Sequence, residues 1–247
     1  MKDYFSQNAD LYAKYRPAYP DALFQLIEEK YAGEKLKAWD CGTGNGQIAA
    51  RLADFMKEVY ASDISSNQVQ HAVQRPNIQY SLQRAESVDY TDHQFDLIVV
   101  AQAIHWFDFE KFYTEVFRTA KPGAYIVVTG YGNLKINLQI DQVIHFLYEN
   151  ILGSYWYPER VYVDNEYQTI PFPFQDESVP AMNNSFHWSF SHLMGYLHTW
   201  SAVRHYQQKN GNNPLELIEQ DLKKAWGEQE NREVRFPLIL RVGKIKE

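Results

Sequence analysis

One carboxylate and three glycines stand together between Asp40 and Gly46, in the spacing D-x-G-x-G-x-G. Glycine costs chain entropy in regular structure, so three glycines at alternate positions need a physical reason. In a turn between a strand and a helix, glycines let backbone N–H groups and the helix N-terminus approach a ligand closely. The spacing therefore predicts a ligand cradle, and the competing interpretation is a turn that binds nothing.

A second carboxylate, Asp63, follows Gly46 by seventeen residues and ends a predicted strand. An acidic side chain at this place can accept hydrogen bonds from both hydroxyl groups of a ribose. The residues from Gly44 to Ala49 also fit the dinucleotide pattern G-x-G-x-x-G/A. The glycines and Asp63 alone leave two ligands open, a nicotinamide dinucleotide and S-adenosylmethionine.

Asp40 distinguishes between these two ligands by its charge. A dinucleotide would place its pyrophosphate at the glycine turn, where a carboxylate repels it. S-adenosylmethionine instead presents an ammonium and a sulfonium, and a nearby carboxylate attracts both. Asp40 therefore favours S-adenosylmethionine over a nicotinamide dinucleotide.

The elements that must position these residues alternate between strand and helix patterns in the first half of the chain. Asp21, Ser65 and Asp108 are predicted to cap helices, and the helix after Asp108 is expected to stop at the Lys-Pro-Gly sequence 121–123. This alternation is typical of a doubly wound α/β fold, a mostly parallel sheet with helices on both faces. The predicted strands cover residues 36–39, 59–62, 78–82, 95–101 and 124–130.

The second half of the chain is less regular and rich in aromatic residues, which make up 15% of the whole sequence. Helices are predicted over 140–152, 192–206 and 214–226, with strands over 185–190 and 233–245. We expect a single domain, with a cofactor-binding core over about 20–130, a helical and loop-rich lid over about 131–180, and a remainder that completes the sheet over about 181–247. Simple core packing with surface loops is the alternative to a lid.

Composition limits the classes of partner. The net charge of −7 argues against a surface built to bind nucleic acid. The single cysteine, Cys41, excludes an internal disulfide framework, and His187, His192 and His198 do not show a known metal-ligand spacing. Without a secretory leader pattern or an apolar run that could span a bilayer, the sequence predicts a cytoplasmic protein with no metal and no membrane partner.

Five segments together resemble the class I S-adenosylmethionine-dependent methyltransferases of the type 11 group: WDCGTGNGQIA, ASDIS, RAESVDY, FDLIVVAQAIHWFD and RTAKPGAYIVV. The resemblance implies a seven-stranded Rossmann-like fold, S-adenosylmethionine as cofactor and S-adenosylhomocysteine as product. Four further segments, RPAYP, HWFDFEKF, YWYPER and LHTWSA, resemble the trans-aconitate methyltransferase branch. That branch methylates a carboxylate of a small polycarboxylic acid, so we expect a small-molecule acceptor and a monomer or homodimer.

The resemblance assigns cofactor roles to specific residues. The methionyl part would contact Asp40, Gly42, Thr43 and Gly44, and the ribose would contact Asp63. Arg84 departs from the Asp or Asn that the family often has before its alanine, which puts the adenine N6 contact in question. The remaining expected contacts are Ile64, Ala85 and Glu86 around the adenine, Gln102 and Ala103 near the reactive methyl, and Tyr12 and Arg16 in the covering N-terminal segment.

On the acceptor side, a carboxylate substrate is already ionised and needs no base, so His105 is expected to position the substrate or to be a packed histidine. Arg160 and Arg204 would bind its carboxylates, unless they are surface residues. The predicted walls of the acceptor pocket are Trp106, Trp156, Tyr157 and Trp200. The alternatives are a hydroxyl, amine or carbon acceptor, a nicotinamide-dependent oxidoreductase, and a catalytically silent cofactor-binding protein.

Overall fold

The computed structural model describes residues 14–31 and 37–246. Five parallel strands form most of its central sheet: β1 (Lys37–Cys41), β2 (Glu58–Asp63), β3 (Ile78–Leu82), β4 (Phe95–Ala101) and β5 (Ala120–Tyr131). Their order across the sheet is β3-β2-β1-β4-β5. The strand order reverses between β1 and β4, which is where open α/β sheets bind their ligands.

The prediction of a mostly parallel sheet is confirmed, but its far edge is antiparallel, so the sheet is mixed. The long strand β8 (Asn231–Lys244) runs antiparallel to β5. Its other edge pairs first with β6 (Gln175–Glu177) and then with β7 (Asn183–Ser189). These two segments follow one another along β8, so eight strands occupy seven positions in a mixed sheet.

Helices cover both faces of the parallel part, and the side chains of β4 point alternately to one face and to the other. Leu97 and Val99 pack with α1 (Asp21–Lys30) and α2 (Gln47–Leu52). Ile98 and Val100 pack on the opposite face with α4 (Phe109–Thr119). The predicted doubly wound arrangement is confirmed for this region.

The helix starts follow simple capping chemistry. The Ser65 side chain accepts a hydrogen bond from the Gln68 backbone at the start of α3 (Ser66–Gln70), and Asp108 does the same for Lys111 at the start of α4. The predicted cap at Asp21 is wrong: the N-cap is Pro20, and Asp21 is the first helical residue. Its exposed carboxylate pairs with Arg51 instead, at 2.6 Å.

The second half forms a helical layer beside β7 and β8. Its helices are α5 (Leu138–Phe146), α7 (Phe190–His198), α8 (Ser201–Asn210) and α9 (Glu219–Trp226), whereas the short α6 (Arg160–Asp164) packs on the main core beside residues 104–106. The predicted helix over 140–152 changes to a π-helical turn at Leu147–Ile151. The predicted helix over 192–206 is broken, because Trp200 has an extended backbone between α7 and α8.

An aromatic core holds this layer together. Trp188, Tyr196 and Phe236 are buried, and their ring centroids lie 5.3–5.4 Å apart. No helix in the described part of the chain is long and apolar enough to cross a membrane.

Candidate active site

A cleft of about 1060 Å³, a volume that includes solvent at its mouth, opens at the carboxyl ends of β1, β2 and β4. Since the strand order reverses here, the cleft lies where the fold is expected to bind its ligand. Eleven of the residues predicted for the site line it: Arg16, Asp40, Gly42, Thr43, Gly44, Asp63, Ile64, Ala85, Gln102, Ala103 and Trp106.

The glycine turn forms one wall of the cleft. All three of its glycines have positive φ angles, +73° at Gly42, +54° at Gly44 and +79° at Gly46. At Gly42 a side chain is also excluded by space, because a Cβ atom there would lie 2.6 Å from Cβ of Ala103. The end of β1 can therefore approach the loop after β4 only through a glycine.

Asp63 ties the glycine turn to the end of β2. Its Oδ2 accepts a hydrogen bond from the backbone N–H of Gly44 at 2.9 Å, and its Oδ1 accepts one from Ser65 at 2.8 Å. An ionised carboxylate has about four acceptor sites. Asp63 thus shapes the turn, and it also lines the cleft, where a ribose would need a carboxylate.

Asp40 is a buried carboxylate, with only 1% of its surface exposed. The Thr43 hydroxyl donates to its Oδ2 at 2.5 Å, whereas Oδ1 is buried and accepts no hydrogen bond within the described ranges. Burial raises the pKa of Asp40 to about 7; the Thr43 hydrogen bond opposes this shift and the nearby Asp63 carboxylate adds to it. A buried acceptor without a donor fits a cationic group such as the ammonium of S-adenosylmethionine.

Glu86 lies behind the cleft rather than among the residues that line it. Its Oε1 accepts a hydrogen bond from the Asp108 backbone at 3.1 Å, and its Oε2 is buried with no hydrogen-bond donor among the described residues. Arg84 Nε lies 3.6 Å from Glu86 Oε2. The residue that departs from the family pattern is thus the ion-pair partner of the expected adenine contact.

The N-terminal segment links the cleft to the helical layer. Arg16 donates to the Thr199 carbonyl at 3.2 Å, and its guanidinium stands 5.3 Å from the centre of the Tyr196 ring. Tyr15 packs against Gly195, where a Cβ atom could not fit. Tyr12, the other residue predicted here, lies outside the described residues.

His105 is buried and is not among the residues that line the cleft. Its Nδ1 lies 3.1 Å from the hydroxyl of Tyr167. Burial, together with the positive charge of Arg160, lowers the pKa of His105 to about 3. The imidazole is therefore neutral at physiological pH.

The residues predicted for the acceptor pocket meet in an aromatic cluster next to the cleft. The ring of Trp106, which lines the cleft, lies 5.3 Å from that of Tyr157. Trp156 and Trp200 are also 5.3 Å apart, and the Arg160 guanidinium lies 5.2 Å from the Trp156 ring. Except for Trp106, these side chains are not among those that line the cleft.

Arg160 is bound by its own neighbours. Its Nε donates to the Tyr148 hydroxyl at 2.9 Å and to Asp164 at 3.1 Å, and one terminal nitrogen donates to Asn133 at 2.7 Å. Arg204 lies in the first turn of α8, where its backbone N–H donates to the Trp200 carbonyl at 3.4 Å. The structure therefore places Arg160 in the cluster and Arg204 on the adjoining helix.

Several cleft residues were not predicted from the sequence. Gln83 and Tyr131 stand at the ends of β3 and β5, so the rule that ligands bind beyond strand ends could have found them. Tyr19 carries no comparable signal, because it reaches the cleft only through the packing of the N-terminal segment. The full set is Pro17, Tyr19, Asn45, Gln47, Ile48, Ser62, Ser65, Gln68, Gln83, Ala101, Phe107 and Tyr131.

Comparison with known proteins agrees with this geometry. A family model described as a methyltransferase domain matches residues 39–128. A protein named as a methyltransferase in Dictyostelium discoideum is 32% identical over 249 residues, which cover 98% of this chain and 95% of that protein. The chain belongs to the class I S-adenosylmethionine-dependent methyltransferases.

Two solved structures extend the comparison. A protein described as a type II methyltransferase from Anaeromyxobacter dehalogenans is 36% identical, with a TM-score of 0.86 over 94% of this chain and 99% of that one. The phosphoethanolamine N-methyltransferase 2 of Haemonchus contortus, solved with phosphomonomethylethanolamine and S-adenosylhomocysteine, shares the fold at 14% identity and a TM-score of 0.50. It covers 100% of this chain and 58% of its own length.

The methyltransferase uses S-adenosylmethionine, as the sequence predicted. When bound, this cofactor supplies an electrophilic methyl group on a sulfonium. On the side of β1 and β2, Asp40 provides a buried carboxylate and Asp63 provides one that organises the glycine turn. Gln102, Ala103 and Trp106 line the side of β4.

Proposed function

We propose that this methyltransferase transfers the methyl group to a carboxylate oxygen of a small polycarboxylic acid. One observation carries the proposal. Among the described residues that line the cleft there is no histidine, lysine, cysteine or glutamate, and the two carboxylates, Asp40 and Asp63, accept hydrogen bonds from the glycine turn. Apart from the hydroxyl groups of Tyr19 and Tyr131, the lining offers no side chain that could serve an acceptor as a general base, which favours an acceptor that needs none.

A carboxylic acid meets this condition, because its pKa near 4 leaves it ionised at neutral pH. An oxygen of the acceptor forms a bond to the methyl carbon while the bond from that carbon to sulfur breaks, and S-adenosylhomocysteine leaves as a neutral thioether. An amine acceptor would first have to lose a proton. Holding the two reactants in line is then the main task, and orientation alone can supply about 7–11 kcal/mol.

The walls of the cleft support a small acceptor. Trp106, Phe107 and Tyr131 give it apolar sides, and the net charge of −7 disfavours a nucleic acid. We assign the segment 131–180 to covering the acceptor, since Tyr157 packs against Trp106 at the cleft. Arg160 and Arg204 are the cationic partners that we propose for the further carboxylates, in a cytoplasmic monomer or homodimer.

The test uses the purified enzyme with S-adenosylmethionine labelled in its methyl group and a panel of small di- and tricarboxylic acids. A methyl ester releases volatile labelled methanol in alkali, whereas methyl groups on nitrogen, carbon or an ether oxygen remain bound. We expect alkali-labile product from at least one acid. Phosphoethanolamine serves as the amine acceptor, and alkali-stable product from it, with none from the acids, would contradict the proposal.

A further inference from the structure

Gln102 has an unusual backbone for a residue with a side chain. It follows β4 directly, with a φ angle of +53°, in the left-handed region that non-glycine residues seldom occupy. Its backbone N–H donates to the Thr129 carbonyl at 2.8 Å, which fixes it against β5. Such strained residues persist only where the surroundings hold them, and they cluster at functional sites.

The carboxamide of Gln102 is held in one orientation. Its Oε1 accepts a hydrogen bond from the backbone N–H of Tyr131 at 2.8 Å, and this donor identifies the oxygen end of the amide. Its Nε2 lies 3.5 Å from the Tyr131 carbonyl. An amide nitrogen carries two hydrogens, and the second has no acceptor among the residues that the structure describes. Gln102 lines the cleft, and this hydrogen is the donor that its side chain can offer to a ligand there.

Gly130 provides the space for this arrangement. A Cβ atom on Gly130 would lie 2.8 Å from Oε1 of Gln102 and 2.9 Å from the hydroxyl of Tyr167. Tyr167 also has a left-handed backbone, with a φ angle of +59°, and is fully buried. The side chains of two residues with left-handed backbones thus meet at one glycine. The hydroxyl of Tyr167 also lies beside His105.

The position of Gln102 separates it from the cofactor-holding residues. Asp40 lies in the last part of β1, the glycine turn follows it and Asp63 ends β2, whereas Gln102 and Tyr131 stand at the ends of β4 and β5. A rigid donor on strand ends is a precise way to orient a second reactant.

We propose that Gln102 determines acceptor specificity, with its Nε2 donating a hydrogen bond to an oxygen of the methyl acceptor. A neutral donor stabilises a carboxylate oxygen and offers nothing to an ammonium group. The choice of an oxygen acceptor rests on the proposed function, whereas the contact between Gln102 and the acceptor rests on the geometry described above.

The experiment compares Gln102→Glu with the wild-type enzyme, both loaded with S-adenosylhomocysteine. Glutamate keeps an acceptor for the Tyr131 N–H but replaces the donor by an anionic oxygen. Calorimetry then measures the binding of propane-1,2,3-tricarboxylate and of phosphoethanolamine. Gln142→Glu, which adds the same charge on the exposed face of α5, is the matched control.

We expect Gln102→Glu to weaken tricarboxylate binding about tenfold or more, as for a lost hydrogen bond to a charged group. Its affinity for S-adenosylhomocysteine should stay unchanged, and Gln142→Glu should alter neither affinity. Gln102→Met, which keeps the length and removes both amide groups, should also weaken tricarboxylate binding. This second variant tests the contact even if the glutamate variant does not fold.

The outcomes separate the two proposals. Wild-type tricarboxylate affinity in the folded Gln102 variants overturns the role of Gln102 and leaves the proposed function standing. If the wild type binds only phosphoethanolamine and Gln102→Glu binds it more tightly, the acceptor class is wrong but Gln102 contacts it. Loss of S-adenosylhomocysteine affinity in step with thermal stability would make Gln102 a structural residue, and binding of neither probe to the wild type overturns both proposals.

Discussion

The two sides of the cleft are built in different ways. The cofactor side is made by residues close in the chain: Thr43 binds Asp40, and Gly44 and Ser65 bind Asp63, all within 26 consecutive residues. The side that we propose for the acceptor is assembled over long distances, for example where His105 meets Tyr167 or Gln102 meets Tyr131. Local sequence thus builds one side of the cleft, whereas the other side depends on how distant parts of the chain pack.

The largest effect is expected for Asp40→Asn, which should raise the stability of the ligand-free fold and lower the affinity for S-adenosylhomocysteine. The folded-state pKa of Asp40, about 7, lies above the ordinary value of 3.8. Protonation therefore stabilises the ligand-free fold, and this stability is lost as the pH rises from about 4 through about 7. The loss is on the order of a few kcal/mol. Asp40→Asn cannot ionise, so it should avoid this loss.

Thermal melting without cofactor at pH 5 and pH 8 tests this. The advantage of Asp40→Asn over the wild type should be larger at pH 8, while its affinity for S-adenosylhomocysteine falls because the ammonium loses its anionic partner. Asp89→Asn removes an exposed carboxylate and is the control. If the stability difference between Asp40→Asn and the wild type did not depend on pH, the loss of stability at high pH would not come from ionisation of Asp40.

Asp63→Ala should have the next largest effect, which we expect on cofactor binding. The variant loses the acceptor that anchors the backbone of Gly44 and Ser65 and that would meet the ribose. Two hydrogen bonds to a charged group are together worth about 3 kcal/mol, so affinity for S-adenosylhomocysteine should fall about 100-fold. Calorimetry against an Asp89→Ala control measures it, and unchanged affinity would show that neither the turn nor the ribose depends on Asp63.

The smallest effect concerns the acceptor side. Arg160→Ala removes the partner of Tyr148, Asp164 and Asn133, so the free energy of unfolding should drop by about 1–3 kcal/mol. If the two arginines also bind the acceptor, both Arg160→Ala and Arg204→Ala should raise the KM of an accepted polycarboxylate. Chemical denaturation and steady-state kinetics separate these effects. A less stable Arg160→Ala enzyme with wild-type KM in both variants would limit Arg160 to holding the cluster.

The helical layer shows where pattern-based prediction stops. Capping by Ser65 and Asp108 was predictable because the interaction spans three residues. The break at Trp200 was not, since the aromatic periodicity continues through it and only contacts with Trp156 and Tyr196 reveal its place. Likewise, the division of one strand position into β6 and β7 depends on pairing with distant β8.

The sequence by itself determined the parallel core, the glycine turn and, through the charge of Asp40, the methyl donor. These follow from hydrophobic periodicity and from hydrogen bonds between neighbours in the chain, which do not require knowledge of the remaining fold. Only the tertiary structure decided that Arg160 is bound to Tyr148 and Asn133, that His105 is buried against Tyr167, and that Gln102 presents an amide donor beside Gly130. Those contacts join residues that are far apart in sequence or depend on a strained backbone, and composition and spacing carry no signal for either.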